Sequence, residues 1–514
     1  MKQKIYSAII LIVAVFFRIY TLGYSDFQGD EVSAQNFLFG ELTFPQFLAS
    51  RTIGPAQYIL NYLTNLLFFN SQNVEFFIRL PYALAGILTV MLAYKVVNRS
   101  KSKRNAALTT FVLGSSGLLI AFSRIVQYQS FVILLGIINL MLIQTYNKNQ
   151  NLNTALKLSF VGILGGAFHY DFAVILISTA TYLALEHKIK HLLVYSSLVI
   201  SSLGIIYLPI LFMPISLNTV QYVFGNRVTS NVTWDALNYS LKLLQIYHSK
   251  EFLLFIAALL IIWVLQISKK SWLILLTSVP AFAAIIYRIL NNQQNTELTL
   301  VSAAFFLIFM LVQVGKTHKT LRYLTLWFGV SFLTYGLLFQ KPLTHIYTFL
   351  VPLLIMITAT FPKIKSNALK VVQNGIFAVV LVVSLSFNYQ AFIETNTEYP
   401  WQKENYIFGN MPSEIAEGAN IDGIFGFPYY RNWKEVGEIA KRIAKENGVK
   451  YYDSNEKGSI TKYHMQGFSY DQIKSQLHIR IERPQSMWTP NRPNKNPIYT
   501  FGATEIFLVS LGDR

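Results

Sequence analysis

The sequence predicts a polytopic α-helical membrane protein with a small α/β domain at its C-terminal end. Three observations carry that reading. The 514 residues are 53% hydrophobic, 15% aromatic and only 13% charged, with mean hydropathy +0.39, a composition outside the range of soluble domains. Apolar runs of bilayer length, about 20 residues each, recur throughout residues 1–388. The formal charge of +18 is unevenly placed: residues 1–388 hold 28 Lys and Arg against 10 Asp and Glu, whereas residues 389–514 hold 15 of each. A basic excess can serve nucleic acid. Here it lies in short loops between apolar runs, where cytoplasmic topology signals belong. The absence of cysteine excludes disulfides, thiolate metal sites and a cysteine nucleophile.

The apolar runs predict about thirteen spans. The first covers residues 5–22. No small-residue cleavage site follows it, so it reads as a span and not as a signal peptide. Further spans are expected at 76–97, 106–122, 130–146, 157–168, 172–186, 192–213, 252–268, 271–288, 298–314, 323–340, 343–361 and 370–388. Placing Lys2 and Lys4 inside puts the loops beginning at 98, 147, 187, 269, 315 and 362 on the same side, and each carries Lys or Arg. The expected location is the plasma (inner) membrane, with the N-terminus cytoplasmic. The first loop (23–75) and residues 389–514 then face outward. Within that loop, residues 31–39 and 55–69 read as interfacial helices, with Pro55 in a first turn where proline is tolerated. Beyond residue 388, residues 421–427 suggest a short strand and turn, 433–447 a helix, and 449–452 a strand. The chain therefore divides into a transmembrane part, 1–388, and a soluble extracytoplasmic α/β domain, 389–514.

Acid is scarce in the membrane part, and five of its ten carboxylates lie between residues 26 and 75. Asp26, Asp30 and Glu31 stand together at the exit of the first span. Carboxylates on an external cleft can take the proton of an attacking hydroxyl or amine. A pair of them can also hold a divalent cation against a phosphate leaving group. Capping of an interfacial helix accounts for them as well. No Walker motif, zinc-ligand spacing, dinucleotide fingerprint or solenoid-length repeat is present.

Arg18-x3-Leu22-x3-Asp26-x3-Asp30-Glu31 resembles the start of the polytopic GT-C glycosyltransferases, in the branch of protein O-mannosyltransferases and the aminoarabinose transferase of lipid A. Gly54-Pro55-x2-Tyr58, Glu75-x3-Arg79-Leu80-Pro81-x4-Gly86, Ser123-Arg124-x3-Tyr128, His345-x-Tyr347-x4-Pro352 and Pro428-Tyr429-Tyr430-Arg431-x-Trp433 continue the resemblance in order. It implies a GT-C fold and inverting transfer of a sugar from a polyprenyl-phosphate carrier to an external protein, lipid or polysaccharide. It also implies Asp30 as catalytic carboxylate, assisted by Glu31 and Asp26. A divalent cation (Mg or Mn), if one is used, would sit at Asp30 and Glu31.

The developing charge on the leaving phosphate calls for a cation, and Arg51, Arg79 and Arg124 are the candidates. Arg79 and Arg124 read equally as snorkelling residues. Tyr58, His169, Asp171, His345 and Tyr347 are expected to line the cleft, although a local turn bond explains His169 and Asp171 nearly as well. The chain departs from the family twice. Gly54 stands where the aminoarabinose enzymes carry lysine, and Gln129 where they carry a second acid, a place Asp171 could take over. Two other classes compete: a transporter or lipid flippase, which would show polar mid-membrane residues or internal repeats, and a scaffold with the same fold that has lost catalysis.

Overall fold

The structure is a computed structural model. It describes residues 2–35, 43–50, 54–68, 71–217, 221, 235–268, 318–339, 342–363, 365–396, 398–400, 424–456, 458–482, 484, 496–502 and 504–508. The expected spans 271–288 and 298–314, residues 218–220 and 222–234 of the 214–250 loop, and Arg51 lie outside the described residues.

The fold is predominantly helical, as the composition requires. Helix α1 (Lys2–Ile19) leads through α2 (Gly29–Ser33), α3 (Phe44–Ser50) and α4 (Pro55–Phe68) to the long α5 (Val74–Ser100). Pro55 opens α4, at a first turn whose N–H groups have no intrahelical acceptor. Then follow α6 (Lys103–Ser115), α7 (Gly117–Ser123), α8 (Gln129–Asn149), α9 (Leu152–Phe168), a 3-10 turn (Tyr170–Phe172), α10 (Ala173–Leu185) and α11 (Ile189–Leu211). Next come α12 (Asp235–Tyr247), α13 (Lys250–Ser268) and α14 (Lys319–Ser331), which runs into a π-helical stretch (Phe332–Leu338). A 3-10 turn (Leu343–Ile346), α15 (Tyr347–Ala359) and α16 (Asn367–Phe392) complete the bundle.

Among the described residues five helices are long and apolar enough to cross a membrane, or six with the bent pair α6–α7 taken as one span. The outward faces of α11 and α16 are apolar and unpacked, as lipid contact demands: Ile200, Ile205, Val371 and Val379 are all well exposed.

The one span expected over 106–122 is broken. Helices α6 and α7 meet at 63° because Ser116 is extended (φ −64°, ψ 113°). Such a break leaves the last carbonyls of α6 without partners in a place water does not reach. Side chains from elsewhere supply them. Arg18 donates from Nη1 to Gly114 O (3.2 Å) and from Nη2 toward Leu113 O (3.4 Å), and Asn388 Nδ2 donates to Ser115 O (2.8 Å). A Cβ on Gly117 would lie 1.7 Å from Tyr247 O, so only glycine lets α12 approach the break.

Near the C-terminal end, α17 (Trp433–Glu446) and α18 (Gly458–His464) pack with a five-stranded sheet. Strands β1 (Tyr451–Ser454), β2 (Ser469–Tyr470), β3 (Leu477–Ile481), β4 (Tyr499–Phe501) and β5 (Thr504–Leu508) lie in the order β2-β1-β3-β5-β4. β1 is parallel to β2 and β3, and the β3–β5 and β5–β4 pairs are antiparallel. The strand expected at 421–427 does not form over its described part, 424–427. That segment packs into the helical bundle instead. Phe425 N–H donates to Tyr247 Oη (3.0 Å), and Phe427 stacks between Tyr247 and Phe392.

Candidate active site

Glu31 and Arg79 form the floor of the acidic loop. Helix α2 is one turn long and carries a capping box: Glu31 at its third position accepts the Gln28 N–H (Oε2, 2.8 Å). The same carboxylate takes a two-point ion pair from Arg79 (Nε–Oε1 and Nη2–Oε2, both 2.7 Å) and the Val126 N–H (Oε1, 3.0 Å). Arg79 gives its other N–H groups to Leu22 O, Ser25 O and Asp26 O, at 2.9–3.1 Å. All five of its donors are thereby used, which is what a guanidinium almost wholly out of water requires (2% exposed).

Two expectations are corrected by this geometry. Arg79 has no N–H left for a donor phosphate, and Glu31, 1% exposed with both oxygens engaged, serves as a counter-ion and cap rather than as a second acid at the reacting centre.

Asp26 is likewise buried, and its partners lie at the far end of the sequence. Oδ2 accepts the N–H of Arg431 (2.6 Å) and, more loosely, that of Trp433 (3.5 Å), so it caps α17 from another part of the chain. Asp26 N–H donates to Tyr429 O, and Tyr429 N–H to Ser25 Oγ, both at 3.0 Å. Arg431 in turn pairs with Glu398 and covers the Tyr429 ring, whose hydroxyl bonds Glu456. Asp26 therefore anchors the C-terminal segment instead of assisting Asp30.

Burial pushes the Asp26 carboxyl up to about 6, the two backbone N–H bonds only partly opposing the shift. The folded value lies above the unfolded one, near 3.9. The group's contribution to stability is thus complete below about pH 4 and is lost as pH rises through 6, on the order of 3 kcal/mol in all. Asp26→Asn keeps the acceptor without the charge. Thermal melts in detergent from pH 4 to 8 should show a shallower decline for this variant than for wild type; parallel curves would refute the assignment.

Asp30 differs from its neighbours. It lies in the first turn of α2, is only half-buried, and has Oδ2 held by Gln127 Nε2 at 3.0 Å. Gln127 Oε1 accepts from Gln129 Nε2 (2.8 Å), which also reaches Thr344 Oγ1 (3.4 Å). Thr344 precedes His345, and there a second polar centre begins. The fully buried Asp171 accepts from His345 Nδ1 (2.7 Å to Oδ2), Tyr335 Oη (2.7 Å to Oδ1) and Tyr347 Oη (2.8 Å to Oδ2).

His169 Nδ1 lies 3.2 Å from Asp171 Oδ1 but accepts the Asp171 backbone N–H (3.1 Å), so that nitrogen carries no proton and the close approach is not an ion pair. Tyr128 stacks flat on the His169 ring. The structure thus brings His169, Asp171, His345 and Tyr347 together, facing one another and not an open cleft. Tyr335, Gln127 and Thr344 belong to the site and were not singled out by sequence. Two amides flanking an aromatic in the short loop before α8 were the available signal for Gln127; Tyr335 sits unmarked in an apolar run.

Arg124, the other expected phosphate ligand, caps α1: Nη1 donates to Phe17 O (2.9 Å) and Tyr20 O (2.8 Å), and Nη2 to the Thr21 hydroxyl (3.1 Å). Its two Nη groups are thereby committed to the end of α1. Tyr58 stands on α4 in an aromatic group with Phe44, Phe47 and Tyr62. A Cβ on Gly54 would fall 2.2 Å from Ala167 O and 2.4 Å from Phe168 O, so lysine cannot stand there in this backbone. Among the described residues no three His, Asp or Glu side chains gather as a metal-ligand set.

Residues 55–217, about a third of the chain, match the family described as dolichyl-phosphate-mannose-protein mannosyltransferase. The match bears out the resemblance to GT-C glycosyltransferases and supports the coarse reading of a membrane-embedded transferase. No curated protein matches the chain. Among solved structures, the chain is similar to ArnT from Cupriavidus metallidurans in the apo state, at 11% identity over 93% of this chain and 92% of that one, with TM-score 0.39. The same protein bound to undecaprenyl phosphate gives 11%, 93%, 86% and 0.41. An Archaeoglobus fulgidus oligosaccharyltransferase in complex with Zn and sulfate gives 10%, 93%, 68% and 0.45.

Proposed function

We propose that the protein transfers a sugar, with inversion, from a polyprenyl-phosphate carrier to an extracytoplasmic acceptor, and that Asp30 is the base. The single observation that carries the assignment is the contrast within the loop: of Asp26, Asp30 and Glu31, Asp30 alone is not buried. The family match over residues 55–217 supports a lipid-phosphate donor. In the reaction the acceptor hydroxyl attacks the anomeric carbon from the face opposite the phosphate. Asp30 takes the hydroxyl proton, the new C–O bond forms, and the bond to phosphate oxygen breaks with its electron pair leaving on the lipid phosphate. Arg79 and Arg124 are committed to protein acceptors, so within the first loop Arg51 is the remaining candidate for the phosphate. Residues 1–388 form the transmembrane catalytic part in this reading, and residues 389–514 an outer domain. The acceptor is a protein, lipid or polysaccharide.

The test is transfer by purified full-length protein, supplied with radiolabelled polyprenyl-phosphate sugars and cell-envelope acceptors. Asp30→Asn should lower transfer by at least roughly 100-fold while melting like wild type. Transfer indifferent to Asp30, or none from any donor, would overturn the reading. Inhibition by EDTA, reversed by Mg or Mn, would establish a divalent cation.

A further inference from the structure

We propose that Gln127 is a positioning residue for Asp30, oriented from the buried side by Gln129 and Thr344. The proposal rests on the transferase reading for its consequence and not for its test. Helix α2 and the loop before α8 meet in register. Glu31 accepts the Val126 N–H (3.0 Å), and the preceding residue, Asp30, accepts from the following one, Gln127 (3.0 Å). The first bond belongs to the buried Glu31–Arg79 pair, so the loop cannot slide without breaking it.

A glutamine presents a donor on one side of its amide and an acceptor on the other. Gln129 Nε2, itself buried, donates to Gln127 Oε1 (2.8 Å) and leans on Thr344 Oγ1 (3.4 Å). Gln127 must therefore turn Nε2 toward Asp30. A flipped amide would set its oxygen against the carboxylate and the nitrogens of the two amides against each other.

The result is an oriented row, Thr344–Gln129–Gln127–Asp30, that starts beside His345 and ends on one carboxylate oxygen. A donor fixed on that oxygen favours the ionised form, which is the form a base needs. The charged and titratable groups on the elements packed about α2 include Glu31 and Asp26 on its own segment, Arg79, Tyr82 and Glu75 on α5, Lys462, Tyr463 and His464 on α18, and Arg124 before the loop. Glu31 and Arg79 neutralise each other.

The experiment is carbodiimide coupling of an amine to Asp30 in the full-length detergent-solubilised protein, followed by peptide mass spectrometry from pH 4 to 8. Coupling needs the protonated carboxyl, so its pH midpoint reports Asp30 whether or not any donor is turned over. Gln127→Ala should move the midpoint to higher pH, raising the protonated fraction at a fixed pH roughly fivefold, the equivalent of one hydrogen bond of about 1 kcal/mol. Gln129→Ala, which does not touch Asp30, should move it in the same direction by less. A change in access alone raises the plateau at low pH and leaves the midpoint in place. Gln127→Met, similar in shape, replaces Gln127→Ala if the latter does not fold. An unmoved midpoint on loss of Gln127 overturns the proposal. A shift with Gln127 but none with Gln129 overturns the row and leaves only the single bond. Both shifts in a protein that shows no sugar transfer would leave the positioning role standing and overturn the transferase reading alone.

Discussion

Arg79→Ala is expected to destabilise the protein by about 3–5 kcal/mol. Truncation strands the Glu31 carboxylate in a setting with almost no solvent and removes a side-chain donor from three carbonyls, those of Leu22, Ser25 and Asp26. Glu31→Gln should cost less, because the amide oxygen still accepts and Arg79 keeps its carbonyls. The double variant Glu31→Gln/Arg79→Met is expected to recover part of the loss, since no unpaired charge then remains buried. Melting temperature in detergent, read by size-exclusion recovery, is the measurement. An Arg79→Ala protein that melts with wild type would show that the pair is not what holds the loop.

Arg18→Leu is the second. Helix α6 ends inside the bundle, and Arg18 supplies N–H groups to its carbonyls at Leu113 and Gly114, to Ala14 O (3.1 Å) and to the Ser123 hydroxyl (3.2 Å). Each orphaned carbonyl costs about 1–3 kcal/mol, set against relief from burying a cation. A net loss of roughly 2–4 kcal/mol is expected, with Arg18→Lys intermediate because one ammonium cannot span both helices. Recovery of folded Arg18→Leu equal to wild type after heating would refute this account of the break.

Much of this architecture can be read directly from the residues. Apolar runs announce helices, Pro55 announces the first turn of α4, and the charge change near residue 388 announces a different kind of structure beyond. The concentration of acid after the first span also drew attention to the loop that holds Asp30. Residue type alone could not divide the three carboxylates by role, because their partners are remote: 48 residues away for the Glu31–Arg79 pair, 97 for Asp30 with Gln127 and 405 for Asp26 with Arg431. The same limitation hid the partners of Arg79 and Arg124. An arginine near a span end looks alike from sequence whether it meets a lipid phosphate or the carbonyl end of another helix. The break at Ser116 was hidden for another reason: hydropathy does not change across it, and Gly114-Ser115-Ser116-Gly117 was its only trace.

The pairing of Ser25 and Asp26 with Tyr429 and Arg431, 404 and 405 residues apart, also bears on synthesis. The acidic loop is made 405 residues before its anchor. At ordinary elongation rates of about 5–20 residues per second, the loop waits roughly 20–80 s with Asp26 unsatisfied. During that interval it is open to chaperones and proteases, and a chain truncated before residue 429 never completes it. Cells should therefore clear such fragments faster than their intact membrane helices alone would suggest.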